Sequence, residues 1–132
     1  MQIREMIASH PVAAQMPDAL LRCIETAYDC AQTCTACADA CLAENEVDAL
    51  RQCIRLDLDC ADICLATGAM AIRRTGRNDA VLHGVIEACA RACAACAQEC
   101  ERHAHMHEHC RICAAMCRDC EAACRDALSS VH

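Results

Sequence analysis

The stretch CAQTCTACADACLAE, residues 30–44, carries cysteines at 30, 34, 37 and 41, at steps of four, three and four residues. Zinc knuckles, ferredoxin loops and disulfide scaffolds also use closely spaced cysteines, but they set them in loops. This stretch has no Gly or Pro, and Ala fills most of its gaps. At roughly 100° per residue, steps of three and four stay on one face of an α-helix. The segment reads as a helix with a row of thiols.

The same pattern recurs along the chain. Cys23, Cys30, Cys34, Cys37 and Cys41 share one face, with Ala27 filling a gap, and Cys53, Cys60 and Cys64 share another with Asp57 among them. A third row holds Cys89, Cys93, Cys96 and Cys100, with His103 one turn on; a fourth holds Cys110, Cys113, Cys117, Cys120 and Cys124. With 28 alanines, three glycines and two prolines, the chain predicts helix almost throughout. Punctuation divides it into an N-terminal segment, 1–16, with a short helix stopped by Pro11, and bundle helices at 17–43, 46–75, 78–103 and 108–128. Pro17 suits the first turn of a helix. Arg73, Arg74 and Gly76 are favourable at a helix C-terminus, and Asn78 or Asp79 is suited to cap the next helix. The expected fold is all-α, a single domain over 1–132: an antiparallel up-down-up-down four-helix bundle with a short N-terminal helix. In that bundle all 17 cysteines point inward.

Seventeen cysteines in 132 residues exceed the level of about 8–10% that marks an unusual cysteine role. Small secreted proteins reach such density through disulfides. Against that, the count is odd, the start MQIREMIASHP carries Arg4 and Glu5 without a signal-like apolar run, and cysteines one turn apart are poorly placed to bridge. The expectation is a cytoplasmic chain with reduced thiols. Leu, Ile and Val total 22 residues, Phe and Trp are absent, and the net charge is −7. A protonated thiol behaves as a small hydrophobe, so the thiols must supply much of the core. The acidic balance and the lack of a basic, aromatic-interleaved patch exclude a nucleic-acid partner. No run approaches the roughly 20 apolar residues of a membrane span, so no membrane partner is expected.

Cysteine as mere filler does not account for four matched rows, because Leu would build a better core on that pattern. Soft thiolates select Cu(I), Zn and iron–sulfur clusters. A buried thiolate network requires cations, and charge separates these choices. Zinc on four thiolates leaves two negative charges per site. A monovalent ion bridged between thiolates, one per sulfur, leaves a neutral interior. Copper(I) with a capacity on the order of one ion per cysteine follows from softness. The ferredoxin run of closely spaced cysteines ending in Pro is missing.

Repeated C-x3-C on an Ala-rich bundle, as in CTACADAC and CARACAACAQEC, resembles the bacterial copper storage proteins over about residues 18–127, and the cytosolic branch in particular. The resemblance implies Cu(I) ions along the bundle axis, a homotetramer, a role in storage or detoxification rather than catalysis, and exchange with a partner such as a copper chaperone. A different class of function, a thiol redox sensor or metal-responsive interaction protein, needs only a few reactive thiols. A ferritin-like enzyme needs paired inward carboxylates, whereas Asp57 is the only acid on the inner rows.

The two bundle ends differ. Ala71, Leu82, Val85, Ile86 and Leu128 plug one end near Cys23 and Cys124. The other collects Cys41, Cys53, Cys100 and Cys110 with His103, His105, Met106, His107 and His109, and imidazole and thioether both suit Cu(I). That end is the expected mouth. His103 and His109 are its candidate ligands, Met106 a weaker one, and Asp57 a candidate oxygen ligand or a merely hydrogen-bonded or solvated carboxylate. Ile54, Leu58, Leu65 and Ile72 give the second bundle helix another apolar face, to be covered by Ile3, Met6 and Ile7 or by a second subunit.

Overall fold

The computed structural model describes residues 2–12 and 14–132; Met1 and Ala13 of the predicted N-terminal segment lie outside the described residues. Helices run α1 Ile3–Ala8, α2 Asp18–Leu42, α3 Arg51–Ala71, α4 Asp79–His103 and α5 Glu108–Leu128, with a 3₁₀ turn Val47–Leu50 leading into α3. The described residues contain no strand.

Alanine makes these helices and also lets them approach. Ala27, Ala31, Ala61, Ala90, Ala97, Ala114 and Ala123 are buried beside the cysteines, where a larger residue would push neighbouring helices apart. Each long helix packs on two others: α2 on α3 and α5, and α4 on α3 and α5, which closes a ring around the axis. At Gly68 in α3 there is no room for a side chain. A Cβ there would stand 2.9 Å from ring atoms of Tyr28, the only aromatic residue of Phe, Tyr or Trp type in the chain.

The helix ends depart from the sequence expectation in three places. Pro17 takes the cap position before α2, and its carbonyl accepts from Leu20 and Leu21. The second bundle helix begins in the tighter 3₁₀ turn and ends at Ala71, four residues short of Thr75. The chain then reverses through Gly76, whose φ of 77° lies in the left-handed region that only glycine enters cheaply. Asn78 occupies the cap position of α4 without a side-chain cap bond. Instead, Arg77 pairs with Asp79 in the first turn, where an acid complements the helix dipole.

α1 lies against the bundle. Ile3 and Ile7 pack on the core, the Arg4 guanidinium donates to both Glu25 oxygens at 2.7 and 3.1 Å, and Arg74 donates to the Ile7 carbonyl at 3.3 Å. Met6 stays exposed, so α1 uses two of its three predicted apolar residues. On α3, Ile54 and Ile72 pack against the core while Leu58 and Leu65 remain 45% and 50% exposed.

The predicted plug is present and larger than expected. Ile86 and Ala71 are buried, Leu82, Val85 and Leu128 are partly buried, and Met16, Leu20 and Val131 join them. α4 is the one described helix long and apolar enough to cross a membrane on length and composition. Its cysteines are fully buried in the bundle.

Candidate metal centre

All 17 cysteines are buried and unbridged, none more than 2% exposed. Rows that are separate in sequence meet at the axis. Cys34 on α2 lies 3.5 Å from Cys117 and 3.7 Å from Cys113 on α5, and 4.0 Å from Cys96 on α4. Cys64 on α3 lies 3.6 and 3.8 Å from Cys89 and Cys93 on α4. Towards the plug, Cys23 and Cys124 stand 3.7 Å apart. Near the mouth, Cys53 and Cys100 stand 3.6 Å apart.

These thiols assemble into overlapping sets whose ligand atoms lie within 4.8 Å of one another. Cys30, Cys64, Cys93 and Cys120 form one; Cys30, Cys34, Cys60 and Cys117 the next; Cys34, Cys96, Cys113 and Cys117 the third. Cys30 belongs to the first two, and Cys34 and Cys117 each belong to the second and third. Sulfurs shared between adjacent sites are the arrangement that bridging thiolates require. Three thiolates around one ion stand about 4.0 Å apart for metal–sulfur bonds of about 2.3 Å, and four around zinc stand slightly closer, about 3.8 Å. The observed spacings accommodate either. Charge favours the shared arrangement, because isolated four-thiolate zinc sites accumulate negative charge in a dry core and shared thiolates with monovalent ions do not.

Asp57 sits within this lining on α3 and is fully buried. Its Oδ1 accepts from the thiols of Cys96 at 3.0 Å, Cys113 at 3.3 Å and Cys100 at 3.5 Å, while Oδ2 faces Cys53 at 3.9 Å. Burial pushes its carboxyl up to about 8, with the neighbouring Cys113 adding to the effect. Of the readings weighed from sequence, the solvated carboxylate is excluded by burial and the hydrogen-bonded one is observed. Cys37, Asp57, Cys100 and Cys113 form a fourth compact set.

At the mouth, His109 reaches the thiols directly. Its Nδ1 stands 3.4 Å from Cys37 Sγ and 3.6 Å from Cys110 Sγ, and Cys37, Cys41, His109 and Cys110 make a fifth set. Burial raises the Cys41 thiol and brings Cys110 up to about 11, so both hold their protons until a cation displaces them. His103 is placed differently. Its Nε2 donates to Glu99 Oε2 at 2.8 Å, and it is partly buried. Met106 lies in the turn between α4 and α5, 61% exposed, which separates it from the thiol rows.

Three mouth features escaped sequence reading. His107 is buried and stacks on His109 with ring centroids 5.4 Å apart. Glu44 accepts from the His109 ring and has an oxygen 2.9 Å from His107 Nδ1, and Glu99 accepts from His103. The i,i+4 spacing of Glu99 and His103 was available as a signal, as was the antiparallel topology, which brings the AENEV and HAHMHE turns to the same end.

Fold and site together define a class: an all-α bundle whose interior is a continuous array of soft donors. Residues 16–129 match the family model described as copper storage protein, and the chain belongs to the copper storage protein family. It is similar to the structure of the copper storage protein Ccsp from Streptomyces lividans loaded with 10 copper equivalents: 50% identity, TM-score 0.93, covering 98% of this chain and 99% of that one. A structure of copper loading to a cytosolic copper storage protein from the same organism, with five coppers, is 56% identical over 87% of this chain and 96% of that chain, with TM-score 0.85. No curated protein matches.

Proposed function

We propose that this protein is a cytoplasmic, non-enzymatic Cu(I) store whose ligands are the 17 cysteines, with His103 and His109 at its mouth and a capacity on the order of one ion per cysteine. The observation that carries this reading is the sharing of Cys30, Cys34 and Cys117 between adjacent four-sulfur sets. Isolated sites would spend three or four thiolates on each ion, whereas shared corners let each sulfur serve more than one. The relatives carry five and ten coppers, and the donor set of this chain has the softness to do likewise.

The redox-sensor alternative calls for an accessible, low-pKa thiol; the buried rows offer none, and they argue for cargo over signalling. The chain is proposed to act as a homotetramer, with exposed Leu58 and Leu65 on α3 giving an apolar face for another copy, and to exchange its ions with a protein partner such as a copper chaperone. Anaerobic titration of the fully reduced protein with Cu(I), against a competing chelator, tests the capacity. Uptake continuing past ten equivalents is expected. Saturation at one to three equivalents overturns the storage reading.

A further inference from the structure

Histidine ligands are fixed by what holds their other nitrogen. A carboxylate on one ring nitrogen sets the tautomer, orients the ring and raises the basicity of the free nitrogen. The mouth supplies such a carboxylate from the turn that follows α2, three residues beyond Cys41. Glu44 lies just past the end of α2, in the turn leading towards α3. Its Oε2 stands 2.8 Å from His109 Nε2 and 2.9 Å from His107 Nδ1.

A carboxylate oxygen only accepts, so His109 Nε2 must donate to it. His109 therefore carries its proton on Nε2, which leaves the Nδ1 lone pair facing Cys37 Sγ at 3.4 Å and Cys110 Sγ at 3.6 Å. His107 brings its Nδ1 to 2.9 Å from the same oxygen as a charge-distance contact, not an aligned hydrogen bond. The two rings stack at an interplanar angle of 22°, so fixing one steadies the other. Nothing comparable is made at His103, which Glu99 holds from the same helix without a thiol at its other nitrogen among the hydrogen bonds of the mouth.

We propose that Glu44 is a positioning residue for the mouth: it fixes His109 as an Nδ1 donor beside Cys37, Cys41 and Cys110, with His107 stacked on that ring, so that an arriving soft cation meets an oriented imidazole. This rests on the Cu(I)-storage reading. The Glu44 carboxylate hydrogen-bonds His109 rather than a thiol and contributes through that ring. Its loss alters how ions enter and leaves the interior array intact.

The test pairs Glu44→Ala and Glu44→Gln with His107→Ala/His109→Ala, alone and combined. In nitrogen-15 NMR of the metal-free protein, wild type shows His109 protonated at Nε2 alone, and Glu44→Ala shows a mixture of tautomers. Outer carboxylates of this kind change affinity or activity about 10–100-fold, and the fast phase of anaerobic Cu(I) loading slows by that order in Glu44→Ala. Total capacity falls by at most one equivalent. In the double-histidine background, removal of Glu44 slows loading no further. An unchanged tautomer and wild-type loading in Glu44→Ala overturn the proposal, as does equal slowing in the double-histidine background. A wild-type capacity of one to three equivalents would sink the storage reading instead, and the NMR comparison would still decide the role of Glu44.

Discussion

A thiol in this interior differs from its neighbours mainly in how many sets it joins. Cys34 and Cys117 stand at corners common to two four-sulfur sets, whereas the thiol of Cys23 meets Cys124 close to the hydrocarbon plug. Substitution by Ser keeps volume and removes the soft donor. Cys34→Ser is therefore expected to lower Cu(I) capacity by more than one ion, and Cys23→Ser by about one or less, both read by competitive titration; equal losses would contradict shared corners. The thiol rows were legible in the sequence because helical periodicity alone fixes which side of a helix a residue occupies. The role of a single polar group was not. Asp57 stood out as an acid on an inner row, but only three-dimensional packing brings Cys96 and Cys113 to within 3.0 and 3.3 Å of its Oδ1. Likewise His109 stood at the edge of its row in the pattern, and the partner that orients it lies 65 residues away in the chain.

Helices and turns explain where sequence reading ran short. The existence of four long helices followed from Ala content and sparse Gly and Pro, but their ends depend on local competition among backbone hydrogen bonds. α3 stops at Ala71, ahead of Arg73 and Arg74, because the chain must reverse at Gly76 to bring α4 alongside. That position and Gly84 make opposite predictions. Gly76 has φ of 77° in open space, so Gly76→Ala places a Cβ in the left-handed region at a cost of roughly 1–2 kcal/mol. Gly84 lies inside α4 with nothing within 4 Å of an added Cβ. Gly84→Ala should stabilise by about 0.8–1.0 kcal/mol through helix propensity. Urea denaturation of the reduced, metal-free variants measures both; a common sign would refute this account of the turn.

The whole molecule is a bundle whose hydrophobic core has been handed over to sulfur. Ile24, Leu50 and Ile86 are the largest fully buried aliphatic side chains, and they are few. The loaded state is therefore expected to be the more stable one. An ion that binds only the folded chain adds about 4 kcal/mol per independent site at a thousandfold excess over its dissociation constant. Unfolding in denaturant should shift to markedly higher concentration as Cu(I) is added and fall back when a chelator strips it; an unmoved transition would mean the ions bind outside the core. The fold class and the plug could be reasoned from one sequence, since each follows from which faces are apolar. Assembly could not, because Leu58 and Leu65 look alike whether they meet solvent or another subunit. Leu58→Ser/Leu65→Ser should lower the mass in solution by light scattering while leaving helicity intact, and an unchanged mass would place the subunit contact elsewhere.

The central claim is that neighbouring ions share thiolates along the axis. X-ray absorption at the copper edge, on protein loaded anaerobically to half capacity or more, tests it most directly. The account predicts a first shell dominated by sulfur and a copper–copper distance shorter than the 3.5–4.0 Å that separates the sulfurs from one another. Isolated copper with no metal neighbour, or a shell of nitrogen and oxygen, would contradict it.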